Sequence, residues 1–400
     1  MSGLEPQVQG QLRSSNNSPM CDPAPARTGP AAASLNLDVL RSAAVLLVVG
    51  FHVVKFFNWR TGSLRVTDFG LLGVMLFFVH TTLVLMFSLE RQTRKSNAPL
   101  FWPFMVRRCF RIYPLAILVV TCAYLLRIPS DLQFGGFALL HQSFVNLIAN
   151  VLLIQNVTLQ KANPGPLWSL PLEIQMYVAL PLLFFFVVRL KSYWGVILFW
   201  WSFVALWFSL GFTTGTLPLS EGGIRSPVEA LLKFTRFVPC FLPGIVAYKL
   251  WSRPRLLPGF LWPVFLLLCC AAFVLFSGSQ PIQAGWFICF AIGSGACLFR
   301  ELSENVATRL ARAIARYSYG VYLVHYFAIW LAFAICRQLN FGLQIAIFLA
   351  TLASLPVLLY YTVESPLIAT GMHLSEKLKA PPVIQTIEVR AAGQIAQNVS

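Results

Sequence analysis

The sequence predicts an all-α fold, a polytopic membrane helix bundle of about ten transmembrane helices with both termini cytoplasmic. Three observations predict it. Of 400 residues, 57% are hydrophobic and only 11% charged, where a soluble domain carries roughly 25% charged residues; mean hydropathy is +0.70. Apolar runs recur at about the 20 residues that a membrane crossing needs. Basic residues gather between alternate runs, as loops on the cytoplasmic side do.

Taken in order, residues 1–34 are rich in Ser, Pro, Ala and Asn and read as a disordered cytoplasmic tail with no secretory signal. Apolar runs follow near 37–57, 69–89, 112–128, 168–188, 193–210, 232–251, 259–277, 282–299, 314–336 and 341–361. An eleventh stretch, 142–158, carries Asn146, Asn150, Gln155 and Asn156, which a lipid-facing helix would have to satisfy. Charge decides its assignment. If 142–158 does not cross, the clusters Arg91 to Arg111, Arg189 with Lys191, Lys249 to Arg255 and Arg300 to Arg316 all face the cytoplasm. It is therefore expected to be re-entrant or interfacial. Lys55, Arg60 and Arg65 run against the rule. One membrane domain is expected over 35–370, and a polar tail over 371–400.

The net charge of +16 follows from those loop clusters, so topology accounts for it and no nucleic-acid partner is expected. Nine cysteines are scattered without a CxxC pair; they read as small buried hydrophobes.

The first run reads LDVLRSAAVLLVVGFHVV over 37–54 and contains Arg41 and His52. Ionisable groups inside a span cost several kcal/mol unless paired or facing a polar cavity. Eleven residues along a helix are three turns, about 16 Å, so the two share a face at different depths. A neutral imidazole at the outer depth can take a proton from a hydroxyl. The plainer alternative makes Arg41 an interfacial anchor and His52 a packed histidine.

Arg107, Arg108 and Arg111 lie at the edge of the third run, with Arg108 and Arg111 one turn apart, where guanidinium groups can hold a phosphate. Anchoring is the alternative. Trp168, Ser169 and Glu173 open the run after 142–158; Glu173 is expected near the depth of His52, where a carboxylate would orient the imidazole. The alternative is a helix cap. Finally, Tyr317, Ser318, Tyr319, Tyr322 and His325 form a polar face within 314–336 that should line a cavity and could donate to a tetrahedral intermediate. His52, His80 and His325 lack the paired spacing of metal ligands, so no metal is expected.

Together these pieces resemble the membrane-bound acyltransferase type-3 family, the bacterial integral-membrane O-acyltransferases of glycans. The resemblance rests on Arg41-x10-His52, GVMLFFV at 73–79, RRCFRIYP at 107–114, GPLWSLPLEIQMYVALPLL at 165–183, ARYSYGVYLVHYF at 315–327 and TVESP at 362–366, in family order. It implies transfer of an acyl group, usually acetyl, from cytoplasmic acyl-coenzyme A to a hydroxyl of a surface polysaccharide, lipid-linked sugar or other glycoside, in the bacterial inner membrane. It also implies that His52 is catalytic with Arg41 as partner, that Arg108 and Arg111 (with Arg107 beside them) hold the coenzyme A phosphates, and that Trp168, Ser169 and Glu173 form the Trp-Ser-Leu-x-x-Glu motif. Tyr319, Tyr322, His325 and Glu364 fall in the remaining motifs as supporting residues. Acyl-coenzyme A is expected as a co-substrate, with no permanently bound cofactor. The chain departs from the family at Met75, often aspartate, at His80, Thr81 and Thr82, often an apolar residue with Ser-Gly, and at Ile174, often an acid.

No fused hydrolase-like domain is expected, so the product is released directly or the acyl group passes to an unlinked periplasmic or glycan-assembly partner. Two rivals stay open at this stage: a proton-coupled transporter or flippase for a glycan or lipid-linked sugar, and an inactive scaffold in a glycan-assembly complex.

Overall fold

The structure is a computed structural model that describes residues 34–59, 67–95, 100–131, 143–190, 192–214, 235–278 and 280–378. The expected tails, apart from Ser34 and residues 371–378, lie outside the described residues, as do Arg60, Arg65 and Lys191. The described residues are almost entirely helical. Six helices are long and apolar enough to cross a membrane.

The first, α1 (Leu35–Phe56), is 22 residues long, about 33 Å at 1.5 Å per residue. Ser34 caps it, its hydroxyl accepting from the Leu37 amide. The next, α2 (Thr67–Lys95), runs antiparallel to α1, with Gly70 against Phe51 and Gly73 against Ala44 and Val48. Gly73 permits that approach, since a Cβ there would lie 2.6 Å from the Ala44 carbonyl oxygen. Without a hydrophobic drive between helices in lipid, such small-residue contacts are what hold them together.

The third helix, α3, spans Phe101–Leu125. It begins eleven residues before the apolar run at 112, so Arg107, Arg108 and Arg111 lie inside a helix rather than at its edge. The arginines dilute the local hydropathy and conceal the helix in the sequence. A short helix, α4 (Phe144–Val151), has eight residues, about 12 Å and far less than a roughly 30 Å hydrocarbon core. Its polar residues stitch the return of the chain. Asn146 and Asn150 donate to the Lys161 carbonyl at 2.9 and 3.0 Å, and Gln155 donates to the Leu167 carbonyl at 3.1 Å.

That stitched segment delivers a 3₁₀ turn, Gly165–Ser169, into α5 (Leu170–Arg189). Then come α6 (Trp194–Thr214), α7 (Val238–Leu250), α8 (Leu261–Phe276) and α9 (Pro281–Gly295). The last three have 13, 16 and 15 residues, so each is about 20–24 Å long. The run at 282–299 stops short as a helix because Leu257 pairs across to it, accepting from Arg300 and donating to Leu298, each at 2.9 Å.

A capping box of Asn305 and Thr308 starts α10 (Val306–Ile329), which continues as a π-helix over Trp330–Ile335. Asn340 caps α11 (Phe341–Leu359), which passes through a π-turn, Tyr360–Glu364, into α12 (Ser365–Lys377). Residues 371–377, expected in a polar tail, are thus helical. Gly371 seats against Phe110, and that contact with α3 holds the extension in place.

Parallel to α1, α10 packs along a different face of it from α2. Pairings climb together along the two: Ser42 to the Ala311 carbonyl at 2.6 Å, Arg41 to Ser318 at 2.5 Å, His52 to His325 at 3.3 Å. At the start of α1, Ser34 and Arg255 both bind Glu301, and Trp262 donates to the Asn36 carbonyl. At its far end Lys55 pairs with Asp131 at 2.7 Å. The first end collects the basic clusters, since Lys249 donates to the Leu190 carbonyl and Arg253 lies over Tyr193.

Candidate active site

Arg41, two turns into α1, opens into a cavity of about 50 Å³ whose polar lining includes Thr81, Ser169, Glu173, Ser318 and Tyr322. A single water needs about 10–15 Å³ of such space, so the cavity takes a group of a few heavy atoms. Its walls are otherwise Val74, Phe77, Phe78 and Leu170. Arg41 Nε donates to Ser318 Oγ at 2.5 Å, and that hydroxyl donates to the Ala315 carbonyl at 2.8 Å. The bond pins the guanidinium head between α1 and α10.

Across the cavity Glu173 accepts a short hydrogen bond from Tyr177, one turn further along α5. Arg41, Arg111 and Arg108 are the cations nearest in effect to Glu173. The sequence reading pairs Glu173 with His52; the structure pairs it with Tyr177 and sets it against the arginines instead. The reason is depth. The stitched segment before α5 lets Glu173 enter two turns into the bundle, level with the Arg41 cavity. His52 lies about 16 Å further along α1.

Arg107, Arg108 and Arg111 occupy successive positions on the second and third turns of α3. Arg111 approaches Glu364 at 3.9 Å, a carboxylate 2% exposed that the π-turn aims at it. Arg108 lies over the Phe104 ring at 5.9 Å. The Nε and one terminal nitrogen of Arg107, and Nε of Arg108, are buried with no hydrogen-bond partner among the described residues. Each such donor costs roughly 1–3 kcal/mol while unmade. An oxyanion ligand is the chemistry that would recover it. Buried His80 likewise leaves Nδ1 without a partner.

The Tyr/Ser/His face of α10 is brought to the site residue by residue. Tyr319 donates to the Ile112 carbonyl at 2.6 Å, tying α10 to α3. The Tyr322 hydroxyl meets Ser169 Oγ at 2.7 Å and makes a short bond to the Pro166 carbonyl. A carbonyl only accepts, so the Tyr322 proton is committed there and Ser169 donates to Tyr322. These two hydroxyls hold the Trp-Ser-Leu turn and are not available to a reaction intermediate as they stand. Trp168 packs beside Phe237, with ring centroids 5.6 Å apart, and does not line the cavity.

Three turns beyond Arg41 on α1, His52, partly exposed, places Nδ1 2.9 Å from the Val48 carbonyl and 3.3 Å from His325 Nε2. Buried His325 sets its own Nδ1 2.7 Å from the Tyr322 carbonyl. Tyr326 faces the His52 ring at 5.9 Å. Among the described residues no group of three or more His, Cys, Asp or Glu could hold a metal ion.

Sequence reasoning gave Tyr177 no role. Its four-residue spacing from Glu173, which stacks the two on one helix face, was the signal available. Ser318, expected on the polar face, is placed against Arg41 and on the cavity.

A multi-helix bundle that sets half-buried Arg41 and Glu173 on one cavity, with a histidine pair further along α1, defines a membrane protein built for chemistry or transport within the bilayer. Family comparison decides between these. A family model described as an acyltransferase domain matches residues 34–362, and the chain belongs to that family, acyltransferase 3. It is an acyltransferase. No curated protein sequence and no solved structure gives a significant match.

Proposed function

We propose that the protein moves an acyl group, acetyl foremost, from acyl-coenzyme A to a hydroxyl of a surface polysaccharide, lipid-linked sugar or other glycoside. It does so as a ten-span protein of the bacterial inner membrane with both termini cytoplasmic. What supports the reading is the order of polar residues along the bundle: Arg107, Arg108 and Arg111 on α3, Arg41 and Glu173 on one cavity, and His52 three turns beyond Arg41 on α1. That order gives a long, phosphate-bearing thioester a charged entry at one end and a base at the other.

On this reading the unpaired guanidinium donors hold the nucleotide phosphates, with Glu364 beside Arg111. The acyl end of the pantetheine arm passes Arg41, where the cavity of about 50 Å³ must widen to admit it. His52 Nε2 takes the proton of the acceptor hydroxyl as its oxygen attacks the thioester carbonyl carbon. The tetrahedral adduct collapses with cleavage of the carbon–sulfur bond, and the coenzyme A thiolate takes the proton back from His52. The new ester stays on the acceptor.

Proton transfer by a positioned base contributes typically about 10²–10⁴-fold. Purified protein in detergent, given radiolabelled acetyl-coenzyme A and glycan fractions, should transfer label to the glycan. His52→Ala should lower kcat by that factor with little change in KM for acetyl-coenzyme A. A His52→Ala variant that transfers label at the normal rate would exclude this mechanism.

A further inference from the structure

We infer that His325 is a positioning residue that holds the His52 imidazole in one tautomer, with the proton on Nδ1 and Nε2 bare. Its catalytic meaning rests on the reading of His52 as the base; the tautomer itself rests on geometry.

His325 Nδ1 lies 2.7 Å from the Tyr322 carbonyl oxygen, one turn back on α10. A carbonyl oxygen accepts and never donates, so His325 Nδ1 carries a hydrogen. A neutral imidazole has one N–H, which leaves His325 Nε2 as an acceptor. That nitrogen lies 3.3 Å from His52 Nδ1, which also lies 2.9 Å from the Val48 carbonyl. Both neighbours of His52 Nδ1 are acceptors, so it carries the proton and shares it between them. Its Nε2 is then bare, and no described residue hydrogen-bonds to it.

The opposite tautomer would set three acceptors against one another in an apolar bundle and forfeit both bonds. Which ring nitrogen of a histidine is bare is set by the bond the other makes, and here that bond is supplied twice. Val48 alone offers what any residue one turn back in a helix offers. His325 adds a second acceptor from another helix, with ring centroids 4.9 Å apart and a 57° tilt that fixes the plane of His52.

His325 also supplies what the sequence reading expected of Glu173. Once Nε2 of His52 takes a proton, Nδ1–H becomes the donor of a cation, and its bond to His325 is charge-assisted. The charged group nearest in sequence, Lys55, is turned to Asp131 at 2.7 Å.

The test is nitrogen-15 NMR of the full-length, histidine-labelled protein in detergent, with the His52 signals assigned by their loss in His52→Ala. The expected spectrum has a protonated Nδ1 and a bare Nε2 at His52; the reverse pattern would overturn the inference. His325→Leu should scramble the His52 tautomer and lower acetyl-transfer kcat at least tenfold, with KM for acetyl-coenzyme A within twofold. His325→Gln, whose amide oxygen reaches the position of Nε2, should restore the tautomer and most of the rate. A leucine variant that keeps the native tautomer, or a glutamine variant no better than leucine, overturns it. Should the leucine variant fail to fold, the native spectrum and the glutamine variant decide. A native spectrum as expected beside a fully active His52→Ala would leave the tautomer standing and remove the base reading instead.

Discussion

On the proposed reading the arginines of α3 hold the acyl donor, and their geometry sets what their loss should do. Arg108 Nε is buried with no hydrogen-bond partner among the described residues, while Arg111 lies 3.9 Å from Glu364 Oε1, beyond hydrogen-bond reach. Arg108 is therefore the one poised for a ligand. At roughly 1–3 kcal/mol per buried donor, Arg108→Ala should raise KM for acetyl-coenzyme A about 5- to 150-fold and leave kcat nearly unchanged. The check is steady-state kinetics against acetyl-pantetheine, which lacks the nucleotide phosphates: its KM should be the same for both proteins. Equal KM increases for the two thioesters would assign Arg108 a structural role. At this scale the sequence was informative where a residue was expensive. Arg41 and His52 announce themselves because a charge or an imidazole in an apolar run demands a reason. His325 was legible as part of a polar face, but its pairing with His52 was not, because only the packing of α1 and α10 brings the two rings together.

Among the elements, the seam between α1 and α2 governs the site, since α1 bears both Arg41 and His52. Gly73 lies in that seam, and a Cβ there would meet backbone, the Ala44 carbonyl oxygen at 2.6 Å, as well as Val48 at 2.9 Å. Overpacking of this kind costs about 1–3 kcal/mol. Gly73→Ala should lower the melting temperature in detergent and reduce acyl transfer by displacing α1. Gly50, on α1 itself, has nothing within 4 Å, and alanine is favoured over glycine in a helix by about 1 kcal/mol. Gly50→Ala should leave the melting temperature unchanged or raise it. Thermal melts of the two variants side by side make the comparison, and an unperturbed Gly73→Ala would show that the seam yields. Elements were legible where one physical signal dominated. Each of the ten apolar runs holds a helix, because twenty apolar residues have little else to do in a membrane. The start of α3 and the extension into α12 were not legible. Both are amphipathic, and each is helical because it packs on the other, through Phe110 and Gly371.

The whole molecule is polarised, and that polarity is what turns a column of side chains into a path. Knots of hydrogen bonds close the two ends of α1, one through Glu301 and Arg255, the other through Lys55 and Asp131. Basic residues gather at the first end, α2 runs antiparallel to α1, and α10 runs parallel to it. The proposed ten-crossing arrangement has a direct consequence for residues at opposite ends of α10. Glu304, before its start, and Gln338, beyond its π-helical end, are both exposed and should face opposite compartments. In intact cells a membrane-impermeant maleimide should label Gln338→Cys and not Glu304→Cys. Permeabilisation should expose Glu304→Cys, with the unsubstituted chain as the blank for native cysteines. Were 142–158 to cross as an eleventh span, everything after it would invert, and Glu304→Cys would be the position labelled from outside. That outcome would also put His52 and the path from Arg108 on α1 and α3 out of step with α10. The bonds from Arg41 to Ser318 and from His52 to His325 require those helices to run in parallel, so the labelling pattern and the site geometry stand or fall together.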